Sequence, residues 1–210
     1  MLKVKSSEIL IRKRDLEIIL QSIPAHLNPK IKLEQYTIPA NLAADILFHA
    51  CYTYGDIHER SVIDLGTGTG RLALGAMILG AQSVVGIDID LESLQTARFN
   101  SKKLELEADW LLSDTASLHG LFDTVLMNPP FGTKRPHSDI KFLRAALNMG
   151  KVIYSIHKSS TISFLSRWLK DQNANSETII ETRMPIGHQF TFHTKKRYFV
   201  KVHVIRIHRH

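Results

Sequence analysis

The chain has 210 residues, with 44% hydrophobic and 22% charged residues, a formal net charge of +7 and one cysteine, Cys51. This composition is typical of one globular domain with its own core, and a single cysteine excludes an internal disulfide and a cysteine-cluster zinc site and favours a reducing compartment. The longest apolar run, at residues 72–81, is too short to cross a membrane, and the N-terminal segment has no signal-peptide pattern.

Hydrophobic periodicity predicts alternating helices and strands along the chain. The N-terminal helix is amphipathic, and it is interrupted by Pro24 and Pro29. The predicted helices cover residues 1–23, 40–54, 71–79, 91–103, 140–149 and 161–173, and the predicted strands cover residues 62–65, 83–87, 108–112, 122–127 and 152–156.

The C-terminal part changes to a strand-like alternation at residues 178–184 and 198–208. Two strands separated by about a dozen residues predict an antiparallel pair at one side of the sheet. We therefore predict one α/β domain over residues 1–210, with a doubly wound sheet and residues 1–30 as an N-terminal helical extension. In such a sheet, ligands bind at the carboxyl ends of the parallel strands.

A glycine-rich turn follows the first predicted strand, in the sequence DLGTGTG at residues 64–70. Glycines at alternating positions allow a close approach of the backbone to a ligand. The pattern lacks the Lys and Ser/Thr of a phosphate-binding loop, and it is not the G-x-G-x-x-G of dinucleotide enzymes. Asp88 ends the second strand, where an acidic side chain can accept hydrogen bonds from ribose hydroxyls.

Asn128, Pro129, Pro130 and Phe131 directly follow the strand predicted at residues 122–127. Two consecutive prolines cannot continue a sheet ladder or a helix, so they hold a stiff turn at the strand end. Such a turn presents the Asn128 amide oxygen and the Pro129 carbonyl as acceptors for a planar amino group, and Phe131 can stack on its ring. We predict these four residues as the catalytic set.

Together these motifs resemble class I S-adenosylmethionine-dependent methyltransferases with a Rossmann-like fold and a seven-stranded, mostly parallel sheet. With LEQYT at residues 33–37 and YSIHKSS at residues 154–160, the chain resembles the methyltransferase-like protein 5 family, from which it departs at Thr67 and Thr69, where cysteines are usual. The resemblance implies an S-adenosylmethionine site formed by Gln35, Thr37, Asp64, Gly66, Gly68, Thr69, Asp88, Asp114 and Thr115.

The same resemblance implies N6-adenosine methylation of the 18S RNA of the small ribosomal subunit. It also implies a location in the nucleus and cytoplasm and a heterodimer with a small zinc-binding activator subunit. Trp110, on the short third strand, could supply the sheet edge for that subunit. Core packing is the ordinary alternative explanation for this tryptophan.

The positive charge is concentrated at the C-terminal end, where seven Lys or Arg residues and no acidic residue follow Glu181. This asymmetry favours a polyanionic partner such as RNA over a merely solvated basic face. A basic loop at residues 132–141, which includes Lys141, and the pair His157-Lys158 are further candidates. The predicted RNA-binding residues are Lys134, Arg135, Lys158, Lys195, Lys196 and Arg197.

Two other functions fit the motifs. Asn-Pro-Pro-Tyr/Phe also occurs in enzymes that methylate a glutamine amide of release factors, and a non-catalytic RNA-binding scaffold could retain the cofactor loop. None of the 11 histidines has the spacing of a metal site, so we expect no metal.

Overall fold

The computed structural model describes residues 11–26, 28–132, 138–186 and 198–209. Within these residues, seven strands form one sheet. They are β1 (Ser61–Leu65), β2 (Ser83–Asp88), β3 (Asp109–Leu112), β4 (Phe122–Met127), β5 (Gly150–Lys158), β6 (Ala174–Ile186) and β7 (Tyr198–Arg209).

The strand order is β3-β2-β1-β4-β5-β7-β6. Strands β1 to β5 are parallel, whereas β7 is antiparallel to both β5 and β6. The predicted antiparallel C-terminal pair is confirmed. The strand order reverses between β1 and β4, and a crevice for ligands lies at such a switch point in open α/β sheets. The topology thus brings the loop after β1 and the turn after β4 to the same crevice.

The helices lie close to their predicted positions. In the described residues, the N-terminal helix covers a shorter segment than predicted, and the second helix ends early and continues into a single π-helical turn at His49–Thr53. The helices are α1 (Lys13–Gln21), α2 (Ala40–Phe48), α3 (Arg71–Ile78), α4 (Leu91–Lys103), α5 (Ser138–Met149) and α6 (Ile162–Asp171).

Hydrophobic side chains cover both faces of the sheet. Alternate residues of β4 face opposite layers: Leu126 packs with the α1, α2 and α3 layer, whereas Val125 packs with the α5 and α6 layer. Leu16 and Leu20 of α1 are fully buried, and each contributes roughly 1.5–3 kcal/mol by leaving water. The helix α1 is therefore part of the core. Cys51 is buried too, as expected for a small apolar residue.

Strand β7 lies inside the sheet between β5 and β6, and its middle part is buried on both faces because both core layers cover it. Val202 and Val204 pack in one layer, and Ile205 and Ile207 pack in the other. No helix in the described part of the chain is long and apolar enough to cross a membrane.

Candidate functional site

A cavity of about 360 Å³ lies at the carboxyl ends of β1, β2 and β4. Its volume is within the range of about 300–1,000 Å³ that is usual for small-molecule sites. All nine residues that were predicted to bind the cofactor line this cavity, as do Asn128 and Pro130. These nine are Gln35, Thr37, Asp64, Gly66, Gly68, Thr69, Asp88, Asp114 and Thr115.

The floor of the cavity is the glycine loop after β1. Gly66 and Gly68 have φ values of 70° and 56°, in the left-handed region that favours glycine. A Cβ atom at Gly68 would lie 2.9 Å from His26 Nε2, and one at Gly66 would lie 3.1 Å from a ring carbon of Phe142. His26 and Phe142 line the cavity themselves. The loop therefore needs glycine both for its conformation and for the room that these rings occupy.

Asp64 fixes this loop to the following helix. Its buried carboxylate accepts a hydrogen bond from Thr67 Oγ1 at 2.7 Å and one from the Ala73 backbone N–H at 3.1 Å. Burial raises the pKa of Asp64 to about 7. Thr67, one of the two positions where the loop lacks the cysteine usual in the family it resembles, supplies the hydroxyl donor. The described bonds of Asp64 thus hold the loop in place.

Asp88 lies at the end of β2, next to the glycine loop. One carboxylate oxygen accepts from the Gly68 N–H and the other from the Asp90 N–H, both at 2.9 Å. Burial raises the pKa of Asp88. Each oxygen retains a second lone pair, because a carboxylate can accept about four hydrogen bonds. The site can therefore accept hydrogen bonds from a ligand hydroxyl pair.

The segment between α1 and α2, here called the strap, covers one side of the cavity. Lys30 Nζ pairs with Asp90, and Gln35 Nε2 donates to the same carboxylate at 2.9 Å. Burial alone would raise the pKa of Asp90, but the hydrogen bonds from Lys30, Gln35 and Ser93 lower it to about 2. The Thr37 hydroxyl accepts from the His26 backbone N–H at 3.2 Å. Gln35 and Thr37 therefore position the strap as well as line the cavity.

Sequence reasoning missed His26 and the Lys30–Asp90 pair. His26 belongs to no motif, and its ring reaches the loop only because the strap folds back over Gly68. Lys30 and Asp90 are 60 residues apart in the chain, and their charges alone gave no indication of pairing.

Asp114 caps the short turn after β3. It accepts from the Ala116 N–H at 3.0 Å and from Lys141 Nζ at 2.7 Å, and these two bonds lower its pKa. The prediction that Lys141 belongs to a basic loop is wrong, because α5 already begins at Ser138. Lys141 lies on α5 and partly neutralises the cavity wall.

The turn after β4 presents an acceptor without a partner. Asn128 Nδ2 donates to the Tyr36 carbonyl at 3.1 Å, which fixes the orientation of the amide. Asn128 Oδ1 is buried and has no hydrogen-bond partner in the described structure. A buried unpaired acceptor costs about 1–3 kcal/mol. A buried acceptor of this kind in a cavity wall is available for a hydrogen bond from a ligand.

Aromatic and basic side chains surround this acceptor. The Phe131 and Tyr36 rings are nearly parallel, with an interplanar angle of 22° and 6.2 Å between centroids. Lys158 Nζ lies 5.6 Å from the centroid of Phe131, within the range of a cation–π contact. Lys158 is thus placed next to the Asn-Pro-Pro-Phe turn, where a nucleic-acid contact was predicted. Pro129 is buried beneath the turn.

The prediction that His157 contacts RNA is wrong. Its side chain is 1% exposed and shares a hydrogen bond with Ser155 Oγ at 2.7 Å, and burial lowers its pKa to about 3. The reason is that β5 extends to Lys158, two residues beyond its predicted end, so His157 still faces the core.

The other predicted RNA-binding residues lie outside the described residues. Among the residues that are described, no group of three or more His, Cys, Asp or Glu side chains could hold a metal ion. The predicted RNA-binding residues that lie outside the described part of the chain are Lys134, Arg135, Lys195, Lys196 and Arg197.

Comparisons with known proteins identify the family of this chain. Residues 42–149 match the family described as Methyltransferase small domain. The chain is 41% identical to protein MJ0284 of Methanocaldococcus jannaschii, with 94% of both chains covered. It is 38% identical to the rRNA N(6)-adenosine-methyltransferase METTL5 of Danio rerio, with 92% of this chain and 97% of the relative covered.

A solved structure has the same fold. The protein PH1948 of Pyrococcus horikoshii superimposes with a TM-score of 0.86 at 33% identity, covering 94% of this chain and 98% of that one. The similarity to METTL5 extends over nearly the full length of both proteins. The chain belongs to the METTL5 family of S-adenosylmethionine-dependent methyltransferases.

Proposed function

We propose that this protein methylates the N6 amino group of an adenosine in ribosomal RNA. The observation that carries the proposal is the buried Oδ1 of Asn128, a residue of the cavity wall, because this atom has no partner within the described structure. Relatives named rRNA N(6)-adenosine-methyltransferase, from Danio rerio and Drosophila melanogaster, are 38% and 37% identical to the chain. The small-subunit 18S RNA is the substrate we propose within this class.

The residues present suit S-adenosylmethionine. Gly66 and Gly68 add no side chain of their own to the floor of the cavity, and the Asp88 carboxylate has lone pairs available for the ribose hydroxyls. Gln35 and Thr37 of the strap would enclose the methionine end, and Asp114 with Thr115 would border the adenine. When bound, this cofactor supplies an electrophilic methyl group.

The Asn-Pro-Pro-Phe turn would position the amino group of the target. The N6 lone pair is delocalised into the adenine ring, so it becomes nucleophilic only when both N–H bonds are held by acceptors. Asn128 Oδ1 and the Pro129 carbonyl are the two acceptors we assign. No strong base is required, because the amino proton becomes acidic once nitrogen has four substituents. Alignment of the reacting atoms accounts for the remaining rate enhancement.

RNA would be bound by aromatic and basic side chains around the cavity mouth. Phe131 would stack on the base, which is worth roughly 1–3 kcal/mol. The target base must leave its own stack to reach the buried Asn128, which favours single-stranded or loop sites. Lys158 would contact the nearby RNA backbone, as would Lys134, Arg135, Lys195, Lys196 and Arg197.

The edge strand β3 supports the proposal of a small zinc-binding activator subunit as partner. This strand is at one end of the sheet order, so one side of its backbone is not paired within the sheet. Leu111 and Leu112 on it are 43% and 52% exposed, and an exposed apolar edge invites pairing with another chain. Co-expression with such a subunit should raise the soluble yield and thermal stability. A chain that is stable and fully active alone would remove this proposal.

Transfer of tritium from S-adenosylmethionine to RNA or protein tests the function. We expect label in small-subunit RNA, and digestion followed by mass analysis should identify N6-methyladenosine. The Asn128→Ala variant should bind cofactor without transferring label. Label on protein would favour glutamine methylation, and no label despite cofactor binding would favour a scaffold.

A further inference from the structure

Arg71 is a buried cation in the cavity wall to which no motif assigns a role. It is the first residue of α3, directly after the glycine loop, and it is 7% exposed. Its guanidinium donates to the carbonyls of Ile23 and Ile38, one at each end of the strap. These two bonds use two of its five N–H donors. Its Nε is buried without a hydrogen-bond partner in the described structure.

The charge of Arg71 is not balanced by the protein residues that the structure describes. No carboxylate among them lies within 4.0 Å of its guanidinium, whereas Lys141, another cation of the cavity wall, is paired with Asp114. Lys32, which also borders the cavity, is exposed to solvent. Burial accordingly lowers the pKa of Arg71, with no charged group raising it. An unpaired buried charge is costly, so an anionic ligand would stabilise this site.

The surroundings of Arg71 indicate which kind of anion would bind to it. It stands at the amino end of an eight-residue helix, where the peptide dipoles favour negative charge. The cavity wall also contains the carboxylates of Glu34, Asp64, Asp88 and Asp114, so a small anion alone would be repelled. A ligand with cationic and hydroxyl groups for those carboxylates and one carboxylate of its own meets both requirements. S-adenosylmethionine has this charge pattern.

We infer that Arg71 binds the α-carboxylate of the methionine end of the cofactor, while its bonds to Ile23 and Ile38 hold the strap closed over that end. The inference rests on the proposed methyltransferase function and adds the residue that recognises the amino-acid part of the cofactor. Cofactor binding and closure of the strap are then coupled through one guanidinium. A lysine could not replace it, because a single ammonium lacks the planar fork that contacts several acceptors.

Titration calorimetry on the full chain with three ligands tests this inference. The ligands are S-adenosylmethionine, its decarboxylated analogue and 5′-methylthioadenosine, which has no amino-acid part. In the wild type, removal of the carboxylate should weaken binding about 10- to 100-fold, as expected for a charge-assisted hydrogen bond. In Arg71→Met, S-adenosylmethionine should lose the same factor and bind no better than its decarboxylated analogue. Binding of 5′-methylthioadenosine should change less than about twofold.

Equal weakening of all three ligands in Arg71→Met would overturn the inference and leave Arg71 as a support of the strap alone. A wild type that binds the decarboxylated analogue as tightly as the cofactor would overturn it too. If Arg71→Met does not fold, Arg71→Lys is measured instead, and unchanged discrimination between the two ligands would refute the role. Failure of the wild type to bind any of the three would reject the cofactor role itself, and this inference with it.

Discussion

Replacing Asn128 by alanine should separate catalysis from stability. The side chain makes one hydrogen bond, from Nδ2 to the Tyr36 carbonyl, and its Oδ1 has no partner in the described structure. Loss of the bond costs about 0.5–1.5 kcal/mol, and removal of a buried unpaired acceptor returns about 1–3 kcal/mol. The free energy of unfolding of Asn128→Ala should therefore lie between about 0.5 kcal/mol below and about 2.5 kcal/mol above the wild-type value.

The effect on catalysis should be much larger. An acceptor that is held in place for the reacting group acts in the transition state, and loss of one such group typically lowers kcat by about 10²–10³, or roughly 2.7–4 kcal/mol. The Kd for S-adenosylmethionine should stay unchanged, because the cofactor side of the cavity is untouched. Three measurements are needed: tritium transfer to RNA for kcat, calorimetry for cofactor affinity, and urea unfolding for stability.

Asn148→Ala is a matched control, since it makes the same chemical change at an exposed position on α5. It should leave kcat and cofactor affinity unchanged and raise the unfolding free energy by at most about 0.7 kcal/mol through helix propensity. The reasoning is refuted if Asn128→Ala keeps more than about a tenth of the wild-type kcat. It is also refuted if its stability falls by more than about 2 kcal/mol together with cofactor affinity, since Asn128 would then be a structural residue.

Three further predictions concern other parts of the molecule. The pKa of Asp64 in the folded protein, about 7, exceeds its ordinary value of 3.8, so the contribution of Asp64 to stability is full below pH 3.8 and is lost as the pH rises to 7. The stability of Asp64→Asn relative to the wild type should therefore increase across this pH window, by on the order of 4 kcal/mol at its upper end. Urea unfolding at several pH values measures this difference, and a difference that does not change with pH would contradict the prediction. Lys158→Met should weaken RNA binding a few-fold and reduce the slope of log Kd against log salt by about one, with cofactor affinity unchanged; an unchanged slope would exclude a phosphate contact. Gly75→Ala should lower the unfolding free energy by about 1–3 kcal/mol, because the new Cβ would lie 2.3 Å from Leu47 Cδ1. The cost of this steric overlap exceeds the gain of about 1 kcal/mol in helix propensity. A raised Tm would contradict this prediction.

The fold could be predicted from local pattern to a large extent. Strands β1 to β4 lie within one residue of their predicted bounds, because short apolar runs between turn residues mark buried parallel strands. The end of β5 was predicted two residues early. Its continuation through His157 depends on pairing with β7, a contact between segments far apart in the chain. His157 is followed by polar residues in the sequence, so it was predicted to lie at the surface although it is buried.

Some residues of the candidate site could likewise be predicted from local sequence patterns, whereas others could not. Asp88, the glycine loop and Asn128 could be found because each directly follows a strand, and parallel strands place their carboxyl ends at one edge of the sheet. His26 could not, because its ring reaches the cavity only when the strap folds across the loop. Arg71 directly follows the glycine loop, but its burial and its bonds to the Ile23 and Ile38 carbonyls arise only when the strap packs against it. A motif records spacing along the chain, whereas the strap is held by bonds between side chains and backbone carbonyls distant in sequence.

The amino-acid sequence by itself determined the alternation of strands and helices, the glycine loop and the rigid turn at Asn128, since each follows from the conformational preferences of neighbouring residues. Only the tertiary structure decided that Asn128 Oδ1 has no partner and that Arg71 is buried with no carboxylate within 4.0 Å of its guanidinium, both among the described residues. Burial and the pairing of polar atoms depend on every segment that packs around a group, and those segments meet only in the folded chain.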